Sequence, residues 1–186
     1  MDLISSLIDI QIAFKAASGS LSKSRKQMAG SKRDSKGKVA CLPPNPIDSK
    51  FEQLKCEMTA LDPCHPDFKV IEQYVNNTKD YNKVKIEDVF KLSREGEEST
   101  FNPLKLDNQK LLWHGSRFSN FVGIISQGLR IAPPEAPKSG YLYGKGVYFA
   151  DFFSKSAPYC RAYLSEGTAI LLLCQVALGN PIVKKQ

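Results

Sequence analysis

The chain has 186 residues, 42% apolar and 24% charged, which is enough apolar side chain for about one domain of ~150 residues and excludes a wholly disordered or collagen-like chain. The longest apolar run, 169–178, is broken by Gln175 and is about half of the ~20 residues a membrane span needs, and Asp2 and Asp9 lie where a secretory signal would be basic or apolar. The net charge is +7, and most of it sits in 19–46, where Lys23, Arg25, Lys26, Lys32, Arg33, Lys36 and Lys38 meet one acid, Asp34.

The first predicted element is a helix over 2–17. Leu3, Leu7, Ile10 and Phe14 recur at three- and four-residue steps, Ile4, Ile8 and Ile12 widen the stripe, and Gly19 ends it. The segment 19–46 reads as a linker rich in Ser, Gly, Lys and Arg, closed by Pro43, Pro44 and Pro46. Its basic clusters suit a nuclear-import address or a nucleic-acid contact, and they equally suit a solvated loop.

Globular composition begins at Ile47. Alternation of Leu54, Cys56, Met58 and Ala60 with Lys55, Glu57 and Thr59 predicts a half-buried strand. The pattern 66–76 predicts a helix with Phe68, Ile71 and Val75 on one face. A strand follows over 84–92, then a charged turn at 94–98 and a short strand over 111–115. A helix over 118–127 ends at Gly128. After a loop at 132–143 come a strand at 146–150, a helix over 154–163 with Pro158 in its first turn, and a strand over 169–178 buried on both faces. The five cysteines are odd in number and form no CxxC pair, and only His65 and His114 could join them. They read as reduced thiols, with no metal site.

Chemistry concentrates in 111–160. His114-Gly115-Ser116 at a strand end offers an imidazole, an unhindered backbone amide and carbonyl, and a hydroxyl. Gly115 has no Cβ, so a flat ligand can lie against the backbone. Tyr148 and Tyr159, on a strand and the helix after it, could sandwich a planar heterocycle at ~0.5–1.5 kcal/mol per face. These residues read as a pocket for an aromatic amide, or as ordinary core and rim residues.

The blocks Leu111-Leu-Trp-His114-Gly115-Ser116-Arg117, Gly144-Lys-Gly146-Val-Tyr148-Phe-Ala-Asp151 and Ser154-Lys155-Ser156-Ala157-Pro-Tyr159-Cys160, with Gly128-Leu-Arg-Ile-Ala-Pro-Pro-Glu-Ala-Pro137, closely resemble the catalytic region of the poly(ADP-ribose) polymerases, most of all its nuclear, DNA-damage-responsive branch. The resemblance implies an α+β fold: two antiparallel sheets with short helices, the incomplete ADP-ribosyltransferase fold. It divides the chain into the last helix of a regulatory helical domain (1–18), a basic linker (19–46) and a partial catalytic domain (47–186). It implies NAD+ as substrate, no metal, protein acceptors, a nuclear location and a part in DNA repair. DNA or RNA would be met through 23–38 or through modules outside these residues, with no membrane partner.

By the same resemblance, His114 bonds the riboses of NAD+, Gly115 holds the nicotinamide carboxamide through its backbone, and Ser156 completes that grip. Ser116, Asn120, Gly123 and Arg130 fall near the adenosine. For Ser119, Asn120 and Arg130, helix capping and surface pairing explain the residues as well. Tyr159 stacks on nicotinamide, Tyr148 lines the opposite wall, and Lys155 lies near the acceptor and the nicotinamide. The implied reaction is glycosyl transfer: the nicotinamide–ribose bond breaks, an oxocarbenium-like centre forms, and an acceptor attacks it. The family stabilises that charge with a glutamate on a later strand. After Phe149 the only acids are Asp151 and Glu166, and neither matches it. The expectation is therefore a transferase truncated before that glutamate, or an inactive module that binds NAD+ or ADP-ribose.

Overall fold

The computed structural model describes residues 46–80, 83–131 and 142–184. The helix expected over 2–17, the basic linker up to residue 45 and most of the loop expected over 132–143 lie outside the described residues. The chain divides into two compact units, 1–55 and 56–186.

In the first unit a helix, α1 (Pro46–Glu52), opens on a proline, whose fixed φ suits a first helical turn. It was not predicted from the sequence. The chain leaves it through a turn in which the Leu54 amide donates to the Phe51 carbonyl at 3.0 Å and Lys55 takes a φ of 50°.

The second unit contains two antiparallel two-stranded sheets. The first pairs β1 (Cys56–Ala60) with β2 (Phe90–Arg94), Cys56 opposite Arg94 and Ala60 opposite Phe90. β1 keeps the expected alternation, with Cys56 buried and Met58 and Ala60 half-buried, but starts two residues later because Lys55 is in the left-handed region. The strand expected over 84–92 forms only from Phe90 onward. Val84 and Ile86 pack on the hydrophobic core without entering a ladder, and Val89 spends its carbonyl on the Leu61 amide at 2.8 Å.

The helix α2 (Pro66–Thr78) lies between these strands in sequence. His65 caps it by accepting the Asp67 amide, Pro66 opens it, and Phe68 and Val75 are buried. It runs two residues beyond the expected end. The short helix α3 (Glu97–Thr100) occupies the expected charged turn, entered through Gly96 at φ 78°.

The second sheet pairs β3 (Gln109–Gly115) with β4 (Leu171–Ala177), from Gln109 opposite Ala177 to Gly115 opposite Leu171. β4 is half-buried rather than buried on both faces, since β3 is its one partner strand among the described residues. The expected helix over 118–127 becomes a 3-10 turn at 118–120 followed by α4 (Phe121–Gln127). As expected, Gly128 ends it, at φ 78°, donating to the Ile124 carbonyl at 2.8 Å. The expected helix over 154–163 is α5 (Phe153–Ser156) followed by 3-10 turns at 157–160 and 162–164. Pro158 lacks the amide that would continue the α-helical ladder.

The expected strand at 146–150 is one bridge, Trp113 to Ala150, with bonds of 2.7 and 3.0 Å. Side chains occupy both flanking rungs. The Tyr74 hydroxyl donates to the Leu111 carbonyl at 3.1 Å, and the His114 imidazole takes the Tyr148 carbonyl at 2.9 Å.

The core forms where these pieces meet. Val75 from α2, Trp113 from β3 and Phe153 from α5 are buried together. The Trp113 ring sits 5.2 Å from Tyr74 and meets Phe153 edge-on at 5.5 Å, a favoured aromatic geometry. Trp113 Nε1 is buried with no hydrogen-bond partner, so the ring is held by packing alone. This core fixes the end of β3 against α5.

Candidate functional site

The site is assembled from three pieces: the end of β3, the bridge segment 148–150, and α5 with the turn after it. Each is placed by a contact distant in sequence. The bridge fixes 148–150 against β3. Ser156 Oγ donates to the Trp113 carbonyl at 3.0 Å and fixes α5 against the same strand.

His114 is half-buried. The Tyr148 carbonyl 2.9 Å from Nδ1 can only accept, so Nδ1 carries a proton. In the neutral ring Nε2 is then an acceptor, matched to a hydroxyl donor such as that of a ribose. The Phe149 ring, 5.7 Å from the imidazole, helps to hold the ring.

Gly115 has a packing role that the sequence reading did not include. A Cβ there would fall 2.9 Å from the Ser156 carbonyl carbon and 3.1 Å from Cys160 Sγ. The missing side chain makes room for the protein's own α5 and the turn after it.

Ser116 Oγ accepts from Asn120 Nδ2 at 3.0 Å, so two of the candidate residues are in contact. Cys160 lies beneath these residues. Its thiol donates to the Ile170 carbonyl at 3.3 Å, and burial pushes its pKa up to about 11, against the opposing effect of the Ser116 amide.

Ser156 is 5% exposed. Its single donor is spent on Trp113, whose carbonyl also takes the Ala150 amide. That carbonyl can release Ser156 without being orphaned. Tyr159 is 63% exposed. Tyr148 is tied at its hydroxyl, which donates to the Gly144 carbonyl at 2.5 Å and accepts from the Tyr143 amide at 3.2 Å.

His114, Gly115, Ser116, Asn120, Tyr148 and Ser156 are therefore brought together by bonds or close approach. Tyr159 lies three residues beyond Ser156 in the following turn. Lys155 lines an open depression with Asp80, Asp151, Ser154 and Phe152, and Gly115, Ser156 and Tyr159 are not among its lining residues. Gly123 and Arg130 are exposed, on and just after α4, and no bond joins either to β3 or α5. Tyr74 and Thr78 of α2 were not foreseen. Their spacing of four marks one helix face, but nothing local identifies their partners.

Among the described residues no three His, Cys, Asp or Glu side chains are grouped as a metal site, and no helix is long and apolar enough to cross a membrane.

Residues 65–186 match the family model of the poly(ADP-ribose) polymerase catalytic domain. The chain is 54% identical over 142 residues to a poly [ADP-ribose] polymerase of Drosophila melanogaster, covering 73% of this chain and 14% of that protein. It is 40% identical over 185 residues to poly [ADP-ribose] polymerase 1 of Danio rerio, covering 97% of this chain and 16% of that protein. Poly [ADP-ribose] polymerase 2 of Zea mays is 49% identical over 141 residues, 73% of this chain and 22% of that protein. The chain thus spans less than a quarter of the length of these relatives.

Proposed function

The chain belongs to the poly(ADP-ribose) polymerase catalytic-domain family, and we propose that it serves an NAD+ ADP-ribosyltransferase, which moves ADP-ribose from NAD+ to protein acceptors and releases nicotinamide. The observation that carries this reading is the close approach of Gly115 and Ser156 at the end of β3, with the exposed Tyr159 three residues further along the chain.

The residues fit a nicotinamide carboxamide. The Gly115 backbone offers an amide and a carbonyl, and Ser156 offers a hydroxyl whose present acceptor has a second donor. Ser156 would turn its donor from Trp113 to the ligand carbonyl while Ala150 keeps the Trp113 carbonyl paired. Tyr159 supplies one stacking face, and Tyr148 a wall held at its hydroxyl. His114 Nε2 would accept from a ribose hydroxyl, and the Ser116–Asn120 pair, with Gly123 and Arg130, would face the adenosine end. Lys155 would stand toward the acceptor. The protein's contribution is to hold the leaving amide and the ribose rigidly while the glycosidic bond weakens. NAD+ supplies the bond that breaks.

A second reading is a module that grips NAD+ or ADP-ribose without turnover: the Ser156 hydroxyl and the His114 ring nitrogen at this site are groups that bind and orient a ligand.

The experiment is to measure NAD+ binding by calorimetry and nicotinamide release by chromatography, on the wild type and on His114→Ala and Tyr159→Ala. Binding and release that both disappear in the variants support the transferase. Binding without release supports the module. A chain that does neither sinks both readings.

The basic segment 23–38 extends the proposal to a polyanion contact and a nuclear setting. Its seven cations would give a salt slope of up to about −6 if all met phosphates, and a flat salt response would remove that part.

A further inference from the structure

The two walls of the proposed nicotinamide pocket are β3, carrying Gly115, and α5, carrying Ser156. They approach so closely that a Cβ on Gly115 would strike the Ser156 carbonyl. Such a gap needs something that holds both walls to a common frame. Two side chains of α2, four residues apart on one helix face, reach one wall each. The Tyr74 hydroxyl donates to the Leu111 carbonyl of β3 at 3.1 Å. Thr78 Oγ1 accepts the Phe153 amide, the first amide of α5, at 3.1 Å, and donates to the Tyr74 carbonyl at 2.7 Å.

The Thr78 hydroxyl is thereby used as both donor and acceptor, which fixes its direction. The preceding residue, Phe152, gives α5 no side-chain cap, so Thr78 satisfies from outside an amide that a short helix leaves orphaned. Phe153 also contributes its ring to the core beside Trp113 and Val75, so this junction has both a polar and an apolar component.

We infer that Tyr74 and Thr78 are positioning residues: α2 acts as a brace that sets the gap between Gly115 and Ser156 and so tunes the grip on a planar amide. This rests on the reading of that gap as the nicotinamide end of the site. It also predicts an asymmetry. Thr78 holds α5 only, whereas His114, Ser116 and Asn120 sit on β3 or after it. Loss of Thr78 should therefore weaken an amide ligand and spare ADP-ribose.

The test uses the full chain, with benzamide as the amide probe and ADP-ribose as the other, both by calorimetry. Amide hydrogen exchange is read in parallel without ligand. Thr78→Val keeps the shape and removes both bonds, and Thr78→Ser keeps the hydroxyl. Tyr74→Phe frees the Leu111 carbonyl and leaves Thr78 bonded to the residue 74 carbonyl.

Thr78→Val should raise exchange at Phe153 and weaken benzamide by about five- to tenfold each, the scale of one lost hydrogen bond. ADP-ribose should change by less than about twofold, the scatter expected of a site this contact does not touch. Thr78→Ser should restore both. Tyr74→Phe should weaken benzamide and leave exchange at Phe153 unmoved. Equal losses for both ligands, unchanged benzamide affinity in Thr78→Val, or failure of Thr78→Ser to rescue would overturn the inference. Unchanged exchange at Phe153 in Thr78→Val overturns it even without a ligand. A wild type that binds ADP-ribose but not benzamide overturns instead the assignment of the gap, and the inference with it.

Discussion

The imidazole of His114 and the backbone carbonyl of Tyr148 stand 2.9 Å apart, Nδ1 to oxygen, 34 residues apart in the chain. This bond takes the carbonyl that a second ladder rung would use, so the strand pairing stops at Trp113 and Ala150. It also fixes the imidazole tautomer and leaves Nε2 for a ligand.

The bond separates the structural role of His114 from the ligand role proposed for it, and substitution can pull the two apart. Asparagine places an amide donor near Nδ1 and has nothing at Nε2. His114→Asn should keep thermal stability within about 0.5 kcal/mol, since an equivalent hydrogen bond is retained, while NAD+ binding falls by about tenfold or more with the loss of a buried polar contact. His114→Ala should lose both, with a further ~0.5–1.5 kcal/mol of stability. Denaturant unfolding beside calorimetry makes the comparison, and an equal loss in the two variants would contradict the assigned tautomer.

Gly115→Ala should destabilise the chain whether or not a ligand binds. The new methyl meets the Ser156 carbonyl and Cys160 Sγ, and overpacking of this kind costs about 1–3 kcal/mol. Ser156→Ala should cost only about 1 kcal/mol, because the Trp113 carbonyl keeps the Ala150 amide. Urea unfolding of both variants checks the order, and a milder effect for Gly115→Ala would mean that α5 can retreat.

Phe153→Ala should cost about 3–5 kcal/mol, the usual range for a buried aromatic, since its ring closes the cluster around Trp113 and Val75. Trp113→Phe should cost less: it leaves a smaller void and removes an indole N–H that has no partner. Thermal melts of both test the ranking.

Alkaline pH should destabilise the chain through its thiols. Burial pushes Cys160 up to about 11. Burial, and then the Glu97 carboxylate, push Cys174 up to about 11. In the unfolded chain both titrate near 9.0. The folded state holds these protons more tightly, so their contribution is full below pH 9 and is lost as pH rises towards 11. Unfolding followed from pH 7 to 11 should show that decline, and Cys160→Ala with Cys174→Ala should flatten it. At pH 8 iodoacetamide should label exposed Cys64 well before buried Cys160 or half-buried Cys174.

Local pattern was sufficient for part of this architecture. Alternation between Cys56 and Ala60 gave the face of β1, and the spacing of Phe68, Ile71 and Val75 gave the buried face of α2. The run of Trp113, His114, Gly115 and Ser116 placed the site's polar groups at a strand end, and Gly128 marked the close of α4. These features are written in neighbouring residues because helix and strand periods repeat within a few positions. The family, too, was legible from the blocks around His114, Tyr148 and Ser156.

Tertiary structure alone decided how those pieces touch. The Thr78 hydroxyl meets an amide 75 residues away, Ser156 a carbonyl 43 residues away, and Tyr74 a carbonyl 37 residues away. None of these partners has a local signature, since any backbone amide or carbonyl could have served. The same long-range contacts cut the strand expected at 146–150 to one rung and gave Gly115 its packing role. A side chain's type states what it can bond, and only the folded path of the chain determines which group it reaches.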